Sequence, residues 1–379
     1  MSKRLIGLLG LVFMLQVPER AQAFLPYLIS GSGADYAVID PERNIVVSTG
    51  SLKTDLLSAT TEHPELSKMY LLDGWYADAA HDRAVFNWGR FGEYDDGMPI
   101  YAGKLIIRLS DRRLLFSFEK DGGRWLPYHK VSPLNKLVTT GARDDDFPNT
   151  RMYDGETYSE IVSSVPLKFG VIDRFSCFIP GTAQLYDGFY WERGVYDVNK
   201  NELVFSTREI FKKTDELDCQ SGLVLSYVRK GKSKPGKELF QIYNLKERRV
   251  QAEILPDDAI SKSRDEWRLS SDGKYAVWSE QTKVGVVGGA GNFETGRFAF
   301  YNTETGKKTG EVKLTEKNWE DYQFGTSTWV NGFSLDGKKL LVCSSPYLYV
   351  IDIGSAKVLH KVKIPFTPGN NGEGFVVWP

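Results

Sequence analysis

Apolar and polar positions along this chain fall into a recurring hairpin: a short apolar strand, a polar turn, then a second apolar strand. The unit occurs seven times. Ala37-Val38-Ile39-Asp40 is followed by Ile45-Val46-Val47, and Leu105-Ile106-Ile107-Arg108 by Leu114-Leu115-Phe116. Arg151-Met152-Tyr153-Asp154 precedes Ile161-Val162, and Val195-Tyr196-Asp197 precedes Leu203-Val204-Phe205. Gln241-Ile242-Tyr243-Asn244 leads to Val250, Phe300-Tyr301-Asn302 forms the sixth copy, and Tyr349-Val350-Ile351-Asp352 leads to Val358-Leu359. The residues that enter each turn, Asp40, Arg108, Asp154, Asp197, Asn244, Asn302 and Asp352, lie 43 to 68 residues apart. A four-stranded propeller blade takes about 40–50 residues. The pattern therefore predicts an all-β chain: a single seven-bladed β-propeller of four-stranded antiparallel blades.

Each outer hairpin needs an inner strand pair before it. Trp267 to Trp278 reads as strand, turn, strand, and so does Val330 to Val342. Weaker versions surround Ser132-Pro133-Leu134-Asn135 and His81-Asp82-Arg83. Asp272-Gly273 and Asp336-Gly337 supply tight turns, because glycine accepts positive φ and Asp bonds its own backbone. Helical periodicity is absent after residue 23, with at most a short turn in Lys212 to Asp218.

Ser270-Ser271-Asp272-Gly273-Lys274 and Ser334-Leu335-Asp336-Gly337-Lys338 resemble the turn of bacterial exported WD40-like and YVTN-type propeller repeats. Phe300 to Lys307 and Val350 to Lys357 resemble the hairpin of the same repeats. The resemblance spans most of residues 37–363 and is clear in the last two copies. It departs at Arg108, where the Asp or Asn is missing. It implies a fold, and roles that range from binding platform to lactone hydrolase to cofactorless heavy subunit of a periplasmic amine dehydrogenase.

The ends suggest how the ring closes. Leu25 to Ser30 and Gly374 to Trp378 are strand-like, so one blade is expected to take its inner strand from the C-terminus and three strands from the N-terminus. Such closure removes exposed sheet edges. Ahead of this lies a secretory pattern: basic Lys3 and Arg4, an apolar run from Leu5 to Val17, and Ala21-Gln22-Ala23. Residues 1–23 are expected to be removed and 24–379 to form the propeller domain, in the periplasm or outside the cell. The rival reading is an uncleaved anchor. Of 379 residues, 48 are basic and 49 acidic, a net charge of −1 that offers nucleic acid no basic surface.

Three cysteines are present, Cys177, Cys219 and Cys343. The first two fall in consecutive repeats, and export permits a bridge between them. Three buried thiols are the alternative. The four histidines, His63, His81, His129 and His360, are scattered without metal spacing, so no zinc site is expected. No nucleophile-elbow motif occurs. Gly285 to Gly296 reads as a flexible loop, since no helix follows to complete a phosphate cradle.

Connections between second and third strands share one rim of a propeller. Three in succession are acidic and aromatic. They hold Tyr94, Asp95 and Asp96; then Asp144, Asp145, Asp146 and Phe147; then Asp187 and Trp191. Carboxylates beside rings suit a cationic small ligand, a protein partner, or Ca²⁺, with no other cofactor expected. Solvated loops of ordinary composition are the competing account. The leading expectation is a non-catalytic binding or scaffold protein, either a monomer or a subunit of a complex. The alternatives are a lactonase-like channel enzyme and the amine dehydrogenase-like subunit.

Overall fold

The computed structural model describes residues 27–30, 35–40, 42–69, 71–78, 81–91, 99–119, 129–131, 136–140, 150–159, 176–187, 194–197, 199–200, 202–210, 216–218, 221–228, 239–256, 267–286, 289–314, 328–334, 336–344, 347–364 and 375–377. The candidate signal segment lies outside them.

All sheets are antiparallel. β1 (Tyr27–Ser30), β2 (Asp35–Asp40) and β3 (Ile45–Ser51) join β27 (Phe375–Val377) in the order β27-β1-β2-β3, a composite of both chain ends. The second sheet is β4 (Leu71–Asp78), β5 (Arg83–Phe91), β6 (Pro99–Arg108) and β7 (Leu114–Glu119). The third is β8 (His129–Val131), β9 (Lys136–Thr140) and β10 (Thr150–Asp154). The fourth is β11 (Ser176–Phe178), β12 (Gln184–Asp187), β13 (Gly194–Asp197) and β14 (Glu202–Ser206); the fifth is β15 (Glu216–Asp218), β16 (Leu223–Val228), β17 (Leu239–Asn244) and β18 (Arg249–Ile254). The sixth is β19 (Trp267–Leu269), β20 (Tyr275–Val286), β21 (Gly289–Asn302) and β22 (Lys308–Lys313). The last is β23 (Thr328–Phe333), β24 (Lys339–Ser344), β25 (Tyr347–Asp352) and β26 (Lys357–Lys363).

The sheets stack face to face through separate apolar clusters. Ala37 and Ile39 of β2 pack with Leu341, Cys343 and Val350 of the last sheet. Their neighbours on the same strand, Tyr36 and Val38, pack with Ala84, Phe86 and Leu105 of the second sheet. Val277 and Phe300 meet Leu340 and Ile351, while Ala276 and Tyr301 meet Leu223 and Phe240 on the other side. Alternate residues of a strand thus serve opposite neighbours, and both faces are apolar. That is why third strands read as continuous apolar runs rather than alternating ones. Radially stacked sheets of this kind make an all-β propeller.

The expectation of seven four-stranded blades is overturned. Five sheets are blades of four strands consecutive in the chain, those spanning 71–119, 176–206, 216–254, 267–313 and 328–363. The composite sheet draws on both ends, and the 129–154 sheet has three strands among the described residues. Ile161 and Val162, expected to supply its outer strand, lie outside those residues. A hairpin count assumes four strands for every repeat, whereas strand number is set by which edges pair in three dimensions.

Three local readings are also corrected. A helix, α1 (Leu52–Leu57), and two 3-10 turns at Ser58–Thr61 and Pro64–Lys68 follow β3. Leu52, Leu56, Leu66 and Met69 seal the junction between the composite and second sheets. These segments are too short to establish a 3.6-residue period. Glu216–Asp218 is strand, not helical turn. The glycine-rich stretch is strand too: Gln281↔Glu294, Lys283↔Asn292 and Val286↔Gly289 pair as a long two-stranded extension of the sixth sheet.

Candidate functional site

The outer hairpin of each blade is built from one local device. Just before the turn, the ladder between third and fourth strands carries a bulge: at Val38/Ile39, Ile106/Ile107, Val195/Tyr196, Ile242/Tyr243, Phe300/Tyr301 and Val350/Ile351. In five of these six, and again at Asp154, the next Asp or Asn folds its side chain over the turn; the second sheet has Arg108 there. Asp154 Oδ1 accepts the N–H of Glu156 at 3.0 Å and of Thr157 at 2.8 Å. Asn302 Oδ1 accepts those of Glu304 and Thr305 at 3.0 and 2.8 Å. Asp40, Asp197, Asn244 and Asp352 do the same for Arg43, Lys200, Glu247 and Ser355. A short acceptor side chain at this place satisfies amide donors that the turn leaves without a ladder partner.

Four residues past that anchor the chain enters the left-handed region: Asn44, Arg112, Tyr158, Arg248, Gly306 and Ala356 all have φ between 53° and 68°. Each of these residues also meets the adjoining blade. Asn44 Oδ1 accepts Lys361 N–H at 3.4 Å. Arg112 lies over the Tyr36 ring at 5.0 Å, Tyr158 stacks on Phe116 at 5.2 Å, and Arg248 lies over Phe205 at 4.7 Å. At Gly306 a Cβ would overlap the Glu253 carbonyl oxygen, and Ala356 fills the space beside Gly310. The turn and the blade-to-blade contact are therefore one structure.

The turns between first and second strands close the same rim. Ser270 Oγ donates to Asp272 Oδ1 at 2.7 Å and accepts Tyr275 N–H at 2.9 Å; Ser334 and Asp336 repeat this at 2.6 Å, with Lys339 N–H at 3.0 Å. Burial raises the Asp336 carboxyl, but bonds from Ser334 and the Lys338 N–H, with Lys339 and Lys338 nearby, leave it below its ordinary value. Successive turns stack: Gly337 against Asp272, Gly273 against Ser221, Gly222 against Pro180. Ser271 Oγ donates to Ser334 O at 2.7 Å, tying two blades. This rim is thus closed by bonds within and between its own turns.

The opposite rim is where the sequence places its candidates. Its connections run over 92–98, 141–149 and 188–193, leaving from the paired residues Phe91↔Pro99, Thr140↔Thr150 and Asp187↔Gly194. Asp187 is the last residue of β12. Tyr94, Asp95, Asp96, Asp144, Asp145, Asp146, Phe147 and Trp191 lie outside the described residues. Among the described residues no three His, Cys, Asp or Glu side chains gather as metal ligands. Cys177 is buried, and Cys219 lies outside the described residues. Burial pushes the Cys343 thiol well up, which keeps it protonated and inert as a nucleophile.

Two charged constellations escaped the sequence reading. Arg83 is 2% exposed and donates to Gly155 O at 2.7 Å, joining the second and third sheets. Arg297 holds Glu311 through two bonds of 2.6 and 3.0 Å and reaches Glu280 at 3.3 Å. Arg297 and Lys308 together lower the Glu311 pKa to about 2. Residues up to 72 apart in the chain meet here, so no local pattern announces them.

No family model and no curated protein matches the chain. Several solved structures are similar to it. One is a complex of KlAtg21 with the coiled-coil of AgAtg16, at 13% identity and TM-score 0.47, covering 79% of this chain and 85% of that one. Another is the Cps50 (Swd1) β-propeller domain of Myceliophteria thermophila, at 11% and 0.43, covering 77% and 86%. A third is Kuenenia stuttgartiensis hydrazine synthase, at 12% and 0.42, covering 74% and 83%. Likeness at this level says nothing of ligand or activity. Among the described residues no helix is long and apolar enough to cross a membrane.

Proposed function

We propose that this chain is an exported propeller that works as a binding platform, with the rim of 92–98, 141–149 and 188–193 as its ligand face. The observation that carries the reading is the asymmetry of the two rims. On the turn rim, amide donors are taken up by Asp, Asn and Ser side chains, and neighbouring turns stack on each other. The other rim bears the longer connections. In three successive sheets these carry five aspartates with Tyr94, Phe147 and Trp191, and Asp187 ends the strand that leads into the third. Loops on a rigid scaffold are where binding residues concentrate. Carboxylates gathered beside aromatic rings attract a cationic partner, an amine or Ca²⁺, which would offset their mutual repulsion.

The test is a thermal-shift series with Ca²⁺, primary amines and cationic peptides on the full chain. A binder that prefers the folded state raises the midpoint by mass action. The expected result is a rise with a cation, lost when Asp95, Asp96 and Asp144 to Asp146 become Asn. No shift with any probe, or a shift indifferent to those changes, overturns the reading.

A further inference from the structure

We propose that the hairpin arm of the sixth sheet is a hinged lid over the mouth of the central channel, on the rim opposite the stacked turns. The arm is the connection between the second and third strands of that sheet. It is drawn out as six register pairs, from Gln281↔Glu294 to Val286↔Gly289, and is about 17 Å long. β19 pairs with Ala276 to Trp278 and β22 with Arg297 to Tyr301, so among the described residues the arm has two strands. A two-stranded ladder standing free in water is marginal, and the run Val284 to Phe293 has no charge to hold it there. The arm therefore needs a surface to lie on.

The root of the arm sets its direction. Between Ser279↔Phe298 and Gln281↔Glu294, β20 has Glu280 alone, where β21 has Thr295, Gly296 and Arg297. Extra length on one edge of a ribbon turns it toward the other edge. The shorter edge is β20, which adjoins the inner strand β19, so the arm bends inward. First strands of successive sheets lie side by side around the channel, β15 by β19, β23 by β27 and β27 by β4. β19 is one strand spacing, about 4.8 Å, inside β20, so an arm of this length passes over it. In agreement, β21 comes close to β23, the innermost strand of the next sheet, whose Thr328 end lies on the same rim. Gly296 supplies the hinge, with φ at 80°. Its carbonyl is pinned by the Leu314 N–H at 2.8 Å, which leaves the freedom on the arm side. Below the hinge, Arg297 clamps Glu280 on the second strand at 3.3 Å and Glu311 on the fourth at 2.6 Å.

The test needs no ligand, so its outcome is independent of the binding reading above. Spin labels go on the full chain at His129→Cys, across the channel on the third sheet, and at either Ala290→Cys on the arm or Thr295→Cys at its root. Cys177 and Cys343 are buried, and Cys219 is changed to Ser. Label-to-label distances to position 129 should be shorter from 290 than from 295. Equal or longer distances, as an upright or outward arm gives, overturn the proposal. Arg297→Gln unclamps the root and should widen and lengthen the 290–129 distribution; an unchanged distribution overturns the hinge. Replacing residues 281–294 with an Asn-Gly turn should raise amide exchange of Thr328 to Val330 about tenfold or more, and leave Asp272 to Lys274 on the other rim unchanged. Unchanged exchange at Thr328 to Val330, or a dimer in light scattering that the deletion abolishes, overturns the proposal as well. If the deletion unfolds the chain, exchange rises on both rims and the distances on the intact arm decide.

Discussion

The turn after Asp352 and the turn after Arg108 occupy equivalent places in two blades and are closed by different atoms. At the first, one carboxylate oxygen accepts the N–H and the hydroxyl of Ser355, and Ile353 N–H reaches Lys338 O in the inner turn at 3.0 Å. At the second, the anchor is a cation that cannot accept. Arg108 instead donates to Asp111 at 3.0 Å, and Asp111 accepts Arg113 N–H at 3.1 Å. Asp82, from the inner turn, takes the Ser110 N–H at 2.9 Å and hydroxyl at 2.5 Å. Leu109 N–H still reaches Asp82 O at 2.9 Å, as Ile353 N–H reaches Lys338 O. The blade keeps the backbone geometry, including the positive φ of Arg112 and Ala356, while the acceptor moves to other residues. What the fold requires is a satisfied turn that meets the next blade, not an Asp at one position.

The sharpest way to break the regular version is at the point where turn and blade contact coincide. Gly306→Ala puts a Cβ into the Glu253 carbonyl at φ 68°, so it should cost about 3 kcal/mol or more, read as a lower urea midpoint.

A pH experiment tests the outer strand of the same blade. Glu311 has its folded pKa lowered from 4.5 to about 2 by Arg297 and Lys308, so its contribution is present above pH 4.5 and lost as pH falls toward 2. Its side chain is 32% exposed, so solvent screening reduces the effect to about 1–2 kcal/mol. Glu311→Gln should be less stable than the parent at pH 6, with most of the difference gone by pH 2. A gap that persists unchanged to pH 2 would contradict the ion-pair account.

Swapping the anchors sharpens the comparison further. Asp82→Ala removes both bonds to Ser110 and should cost about 1–2 kcal/mol, although Asp82 is not the anchor of its hairpin. Asp352→Ala should cost about 1 kcal/mol through its turn amide. Arg108→Ala should cost only about 0.5 kcal/mol, because the Asp111 and Asp82 bonds to backbone remain. Chemical denaturation of the three variants orders them. If Arg108→Ala matched Asp352→Ala, the acceptor would not have moved as described.

Much of the strand plan was legible. The hairpins at Asp40, Asp197, Asn244, Asn302 and Asp352 stand where the apolar runs end, because a turn needs an acceptor side chain just there. The Asp-Gly turns at 272 and 336 were legible for the same local reason. The helix at Leu52–Leu57 was not: two leucines four apart carry no period, and they become helical where they cover Tyr36, Phe86 and Ile107. The glycine-rich stretch was not legible either, since its pairing of Gln281 with Glu294 continues a ladder begun by Tyr275 and Asn302. The acidic rim rests on loop composition, and eight of its nine candidate residues lie outside the described residues.

The sequence by itself determined what is local: strand, turn, bulge and the acceptor that closes each hairpin, all set by residues within a few positions of one another. Tertiary structure decided how many strands each sheet holds, and it set the register of Tyr27–Ser30 against Phe375–Val377. It also buried Arg83 under Gly155, and it turned Asp82 into the keeper of another turn. Those outcomes depend on which faces meet, and inner strands such as Leu223–Val228 and Tyr347–Asp352 are buried on both faces. A pattern read along the chain says that such a strand must be covered on each side. Only the stacked sheets say by what.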